Sequence, residues 1–275
     1  MIQDAKDPRF QHLLSLQSSR GRSRSGLYLI EGIRHIARAA EECAPIESVF
    51  ITPSVLSNPF GQKLARKLRQ AGVLCVQLAP QLYRDLTLAA EPQGIAAVVR
   101  QQWCSLNNMR PSNGGLALAI ESMDSPGNLG TIVRTAEAAG VTQIIFLGDG
   151  ADPYEPAAIR SSMGSLFSHQ LARSPANEFI QWAKRVGVSL VGSSPAGMLD
   201  YKGLRCRWPA ILLIGSEKRG LSEQLTEACD FMVRIPMLGR CDSINAAVAS
   251  GVLLYELFEQ RRSNSEARLV KTRLP

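Results

Sequence analysis

Residues 210–214, AILLI, form an apolar run with no polar interruption that stops at Gly215-Ser216-Glu217. An uninterrupted run of this kind suits a strand covered on both faces, as in a parallel sheet, and so predicts a central strand rather than a half-exposed one. Glu217 then emerges at the strand's carboxyl end, where open α/β sheets hold their ligands. A second strand predicted over 231–235 ends at Pro236, and Asp242 or Ser243 can cap a helix over 244–261. That helix is apolar on more than one face, through Ala247, Val248, Val252, Leu253, Leu254, Leu257 and Phe258, which predicts burial. Asn245 stands in its first turn. There it either satisfies backbone groups or points at the same cavity as Glu217.

The chain's 275 residues allow one large domain or two ordinary ones, and a hydrophobic fraction of 45% supports a real core. No apolar run reaches the length of a membrane span, and the start MIQDAKDPRFQHL lacks the basic-then-apolar order of a signal peptide. A cytoplasmic protein with no membrane partner is expected. The six cysteines include no C-x-x-C pair and there are three histidines, so neither a disulfide framework nor a metal site is expected. A net charge of +7 argues for a polyanionic partner, with nucleic acid ahead of an anionic membrane surface.

Residues 1–25 are polar and alternate Arg20, Arg22 and Arg24 with Ser and Gly, which predicts a flexible cationic arm. Such an arm is either a solvated loop or a set of RNA-binding phosphate contacts. Strands are predicted at 28–30, 47–52, 73–78 and 95–100, and helices at 34–42 and 62–70, the latter the basic amphipathic QKLARKLRQ. This is a small α/β unit. The turn-rich QQWCSLNNMRPSNGG follows. The expected organisation is an N-terminal domain over 1–103, a linker over 104–114 and a second domain over 115–275.

In the second domain a strand at 116–120, a helix at 129–139 closed by Gly140, and a strand at 142–147 make a βαβ unit, whose strands run parallel. Strands at 189–191, 211–214 and 232–235, with a helix at 177–185, extend it to a doubly wound α/β sheet. Within DSPGNLGTIVR, Asn128 can cap the helix while Gly127 and Gly130 admit a close backbone approach. Arg134 lies on the same side, so an anion at this helix start would meet backbone donors and a guanidinium together; a capped helix with a salt-bridged Arg is the simpler reading. No G-x-G-x-x-G dinucleotide fingerprint is present. Arg160, Ser161 and Ser162 of DPYEPAAIRSSMGSLFS join Asn128, Arg134, Glu217, Ser243 and Asn245 as a possible polar ring around one cleft.

Three segments in order, PGNLGTIVRTAEAAG (126–140), LLIGSEKRGLS (212–222) and IPMLGRCDSINAAVASGVLLYE (235–256), resemble the motifs of the SpoU or TrmH family of RNA 2′-O-ribose methyltransferases. The resemblance runs on through DPYEPAAIRSSMGSLF. Residues 27–100, from YLIEGIRH to PQGIAAVVR, are similar to the substrate-binding domain that often precedes the family's catalytic domain. Ile244 stands where Leu is common, and Ala246-Ala247 replace a Val-Ser pair.

The resemblance implies a C-terminal deep trefoil knot, an exception to the unknotted norm, that binds S-adenosylmethionine among its loops. It puts cofactor contacts at Gly215, Ile235 and Ile244, with Ser193 or Ser194 and Met237, and the catalytic set at Asn128, Arg134, Glu217, Ser243 and Asn245. Arg20, Arg22, Arg24 and Arg160 are the expected RNA contacts. A free guanidinium stays protonated, so Arg134 reads better as a phosphate or ribose positioner than as a base. Because only RNA carries a 2′-hydroxyl, the implied substrate is structured RNA, 23S ribosomal RNA first and transfer RNA second. A catalytically silent RNA-binding module and a small-molecule α/β enzyme are weaker readings. The family also implies a homodimer through the C-terminal domain, consistent with the small and apolar residues of the last helix.

Overall fold

The computed structural model describes residues 1–112, 114–150 and 152–271, with side chains to residue 263. In chain order the elements begin with α1 (Pro8–Ser15), α2 (Ser19–Ser25), β1 (Leu27–Glu31), α3 (Ile33–Glu41), β2 (Ile46–Ile51), α4 (Pro59–Gln70), β3 (Leu74–Gln77), α5 (Pro80–Leu86) and β4 (Ile95–Arg100). They continue with β5 (Leu116–Glu121), α6 (Pro126–Ala138), β6 (Gln143–Leu147), α7 (Pro156–Ser162), β7 (Gln170–Ser174), α8 (Ala176–Val186) and β8 (Ser189–Ser193). Last come β9 (Leu199–Asp200), β10 (Ala210–Ile214), α9 (Glu223–Ala228), β11 (Phe231–Arg234) and α10 (Ala246–Lys271). These fold as two compact units, Met1–Gln101 with Asp152–Phe167, and Gln102–Ala151 with Ser168–Pro275.

The first unit is a four-stranded sheet of order β1-β4-β2-β3, in which β4 runs antiparallel to both neighbours and β2 pairs β3 in parallel. Its core gathers Phe10, Leu13, Leu16, Tyr83, Leu86 and Val98. The expected flexible arm is instead helical. Asp7 caps α1 at the Arg9 amide, Ser18 caps α2 at the Gly21 amide, and Gly26 ends α2 in the left-handed conformation that glycine takes without strain. Leu13 and Leu16 anchor this segment in the core, an apolar contribution that the polar average of the first 25 residues hides.

Arg22 corrects the expectation most sharply, because its side chain is only 2% exposed. Nε and Nη2 both donate to Asp152 Oδ2, at 2.9 and 2.7 Å, and Nη1 donates to the carbonyls of Leu16 and Gln17. A planar fork held this way organises protein rather than RNA. Asp152 therefore groups with the first unit, and so does α7; Tyr154 packs on Tyr28 with ring centroids 4.5 Å apart. The expected 1–103 boundary omits this returning segment.

The second unit carries a seven-stranded sheet of order β7-β6-β5-β10-β8-β11-β9, with every neighbouring pair parallel. All five residues of β10 are buried, flanked by β5 and β8 as the apolar run predicts. The expected linker belongs to this unit: Cys104 bridges Ala172, Met109 is fully buried, and Trp103 meets Phe146 edge-on at 6.0 Å with Arg173 over its ring. Apolar residues inside a turn-rich stretch made the difference. Helix α10 packs along α6 and β10 through Leu253, Leu254 and Leu257, but Val248 and Tyr255 are 56% and 50% exposed, so one face stays uncovered in the single chain.

Candidate active site

Where β10 ends, the chain turns back within six residues. Ser216 N donates to Gly220 O at 3.1 Å, Gly220 N to Ser216 O at 2.9 Å, and Arg219 N to Ser216 Oγ at 3.1 Å. Gly215 starts this turn because a Cβ there would lie 2.1 Å from the carbonyl carbon of Gly220. Its missing side chain is thus demanded by the loop itself. The turn presents Glu217 to the start of α6.

There the carboxylate is ringed by donors. Asn128 Nδ2 donates to Oε1 at 2.9 Å, and the Asp124 and Ser125 amides donate at 3.1 and 3.4 Å. Asn245 Nδ2 in turn donates to Asn128 Oδ1 at 3.1 Å. Three segments far apart in sequence are thereby joined in one polar chain. Partial burial pushes the Glu217 carboxyl up, but the Asn128 side chain and neighbouring amides outweigh it and hold it below its ordinary value. Glu217 is therefore a carboxylate at neutral pH.

Two expected caps change hands. Ser125 Oγ, not Asn128, accepts from the backbone of α6, at the Asn128 amide, which frees the Asn128 side chain for Glu217. Asn245, not Asp242 or Ser243, caps α10: its Oδ1 accepts from the Ala247 and Val248 amides at 2.9 and 3.3 Å while its Nδ2 reaches Asn128. Both readings of Asn245 therefore hold. The S-x-x-N spacing from Ser125 to Asn128 was the available signal for the first cap.

Beside this chain lies a cavity of ≈ 600 Å³, lined among others by Ser193, Ser194, Gly215, Glu217, Ile235, Met237, Ser243, Ile244 and Asn245. Lys218 and Arg219 line it too, two cations that sequence reasoning did not single out. The loop after β8 is tightened by Ser194, whose Oγ accepts from Ala196 N, and by Gly197, where a Cβ would sit 2.7 Å from the Val233 backbone. The cavity's size and its mixture of apolar walls, hydroxyls and charged groups of both signs suit a nucleoside-sized polar ligand. The cofactor implied by the sequence fits that description.

Arg134 lies outside this arrangement. It is exposed on α6, does not line the cavity, and has no ion-pair or hydrogen-bond partner among the described residues. Arg20 and Arg24 are exposed on α2. Arg160 is exposed on α7 and spends one donor on Leu88 O at 2.8 Å. The six cysteines are free thiols, no grouping among the described residues suits a metal ion, and no described helix is long and apolar enough to cross a membrane.

Comparison with known proteins defines the class. The family model for the SpoU rRNA Methylase family matches residues 115–255, and that for the MRM3-like substrate binding domain matches residues 7–97. The chain is 34% identical to the 23S rRNA (uridine(2479)-2'-O)-methyltransferase of Streptomyces viridochromogenes, over 96% of this chain and 93% of that one. It is 27% identical to the 23S rRNA (guanosine(2553)-2'-O)-methyltransferase RlmP of Bacillus subtilis, over 93% and 98% of the two chains. The crystal structure of AviRb, a SpoU methyltransferase from Streptomyces viridochromogenes, in complex with AdoMet superposes with a TM-score of 0.87 at 34% identity, covering 94% of this chain and 99% of that one. This chain is a methyltransferase and belongs to the SpoU family.

Proposed function

We propose that the protein transfers a methyl group from S-adenosylmethionine to a ribose 2′-hydroxyl of 23S ribosomal RNA. The observation that carries this reading is the Glu217–Asn128–Asn245 chain beside the 600 Å³ cavity, a set of fixed polar groups next to room for the cofactor. Relatives over nearly the full length are named for this reaction on this RNA. When bound, S-adenosylmethionine supplies an electrophilic methyl group.

Ser193, Ser194, Ile235, Met237 and Ile244 are the residues that would hold the cofactor, with Gly215 shaping the loop they face. Ionised Glu217 accepts the hydrogen bond of the ribose hydroxyl, directly or through water, and so aligns an oxygen lone pair; the hydroxyl proton leaves along that hydrogen bond to the carboxylate or the water late in the step. Asn128 fixes that carboxylate, Asn245 in turn holds Asn128, and Ser243 lines the cavity. Alignment of this kind is worth about 7–11 kcal/mol in favourable cases.

We infer also that the chain after β8 forms the family's knot. Supporting this is the strand order, in which β10 lies between β5 and β8, β11 pairs on the far side of β8, and α10 returns to α6. A homodimer through the uncovered face of α10 accounts for exposed Val248 and Tyr255 and brings a neighbour's Arg134 to the site as a phosphate or ribose positioner. Exposed Arg20, Arg24 and Arg160 hold surrounding RNA backbone. The reaction belongs in the cytoplasm, where ribosomal RNA is modified.

The test is transfer of radiolabelled methyl from S-adenosylmethionine to deproteinised RNA of a strain lacking the protein. Label in 23S RNA that survives as an alkali-resistant dinucleotide is expected. Label in transfer RNA, or on a base, would overturn the assignment.

A further inference from the structure

Helix α4 of the first unit carries Lys63, Arg66, Lys67 and Arg69 and not one acidic residue. All four cations are exposed, and none has an ion-pair or side-chain hydrogen-bond partner among the described residues. By contrast, Arg38 of the neighbouring α3 meets Glu41 and Glu42 at 3.8 and 3.2 Å. Lys67 and Arg69 lie in the last turn of α4, where the helix dipole favours cations. Lys63 and Arg66 lie outside that turn, and Lys63 stands at i,i+3 and i,i+4 from Arg66 and Lys67, like-charge neighbours that destabilise a helix. Local helix stability therefore does not account for this charge.

The helix buries Gly61, Leu64, Ala65 and Leu68, and its outer surface divides into two adjoining stripes. Phe60, Lys63 and Lys67 follow one another at i, i+3 and i+7; Gln62, Arg66 and Arg69 do so at i, i+4 and i+7. The second stripe borders a groove of ≈ 370 Å³ whose other wall includes Ile51, Pro53 and Leu56. Gln62 Nε2 donates to Leu56 O at 2.9 Å and ties the two walls together. At the head of the first stripe Phe60 is 56% exposed, although its helix has an apolar face. Asn58 Oδ1 fixes this end by accepting from the Phe60 and Gly61 amides at 2.9 and 3.2 Å. The inward place beside Phe60 belongs to Gly61, where a Cβ would lie 2.8 Å from the side chains of Ile33 and Leu56.

We propose that α4 and this groove bind single-stranded RNA, with Phe60 stacking on one base and the four cations holding the phosphates around it. An exposed aromatic face set among uncompensated cations is the combination that sequence-tolerant single-strand binding uses, because every unpaired base offers a π-face and every linkage an anion. A duplex keeps its base faces in its own stack and gives Phe60 no partner. An anionic lipid surface takes up a helix by its apolar face, and in α4 that face is already occupied, with Leu64 and Leu68 buried in the unit. The inference rests on RNA as substrate, as proposed above, and adds to it the strandedness of one contact, the residues that make it and the absence of base-sequence readout there.

The test uses the full chain and labelled RNA dodecamers of mixed sequence, single-stranded or as a blunt duplex, with binding followed by fluorescence anisotropy over a range of salt concentrations. The single strand should bind tighter than the duplex, and Phe60→Ala should weaken single-strand binding on the order of tenfold. Phe60→Trp should retain it, whereas Phe60→Leu, apolar but without a π-face, should behave as the alanine variant does. Replacing Lys63 and Lys67 together by Gln should lower the salt slope by about 0.7 per lost contact. These side chains are exposed, so melting temperatures should match that of the unaltered protein. Absent or equal binding of the two RNAs, full binding by Phe60→Ala or Phe60→Leu, or an unmoved salt slope overturns the proposal. So does capture by phosphatidylglycerol vesicles that these substitutions abolish while RNA binding stands, which would make the face a membrane contact. Calorimetric binding of S-adenosylmethionine by the same variants should be unchanged. Absence of methyl transfer to any RNA, with strand preference and Phe60 dependence intact, would count against the proposed reaction alone.

Discussion

Asn128 donates to Glu217 at 2.9 Å and accepts from Asn245 at 3.1 Å, so one amide side chain ties the loop after β10 to the first turn of α10. Neither interaction is local. Each spans roughly a third of the chain or more, and together they fix the carboxylate that faces the proposed cofactor cavity. Asn128→Ala should leave Glu217 with its backbone donors only and lower kcat by about 10²-fold, with cofactor affinity little changed. Asn128→Asp should be worse, because it sets two carboxylates side by side. Single-turnover rates on the RNA substrate check both.

The Glu217 carboxyl titrates below its ordinary 4.5 because its donors outweigh burial. A depressed folded-state value means the carboxylate's contribution is present above the unfolded value and is lost as the pH falls through the folded one. The activity profile should therefore show no loss assignable to Glu217 from neutral pH upward. Carbon-detected NMR of labelled glutamate should place its titration below 4.5, and Asn128→Ala should move it upward.

Arg22 and its neighbours should separate cleanly. Arg22→Ala leaves Asp152 without its guanidinium and should cost about 3 kcal/mol in denaturant unfolding, the scale for breaking a buried pair. Replacing Arg20 and Arg24 together should leave stability intact and weaken RNA binding, lowering the salt slope by about 0.9 per lost contact to duplex RNA. An unchanged slope would make them merely solvated.

How much of this was legible in the sequence depended on whether a signal was local. The five apolar residues of β10 and the βαβ pattern around α6 announce a parallel sheet, and the sheet is there. Strand β7, strand β9 and helix α5 were missed, since two are short or mixed in polarity and the third begins at a proline within a turn-like stretch. Arg22 looked like its neighbours because its partner, Asp152, lies 130 residues away. The convergence of Asn128, Glu217 and Asn245 was expected from their places at a strand end and two helix starts and from the motif resemblance; no periodicity relates positions so far apart. Their hydrogen bonds became visible only in the fold.

Gly215 shows the same limit in reverse. The resemblance makes Gly215 a cofactor contact, whereas in the structure a Cβ there would strike Gly220 and Leu221. Gly215→Val should therefore abolish cofactor binding by displacing the 215–220 turn, with a lowered melting temperature. Loss of binding at wild-type stability would restore the direct-contact reading.

If a neighbour's Arg134 completes each cleft, mixing Arg134→Ala protein with Glu217→Ala protein should restore part of the activity that each lacks alone. A mixture as inactive as its parts would confine each site to one chain. Light scattering at micromolar concentration should report a dimer.

The most direct test of the central assignment is a map of ribose methylation across 23S ribosomal RNA from cells with the protein, without it, and carrying Glu217→Gln in its place. The account predicts one 2′-O-methyl mark that is present in the first, absent in the second and strongly reduced in the third. Identical maps from all three, or a lost mark confined to transfer RNA, would contradict it.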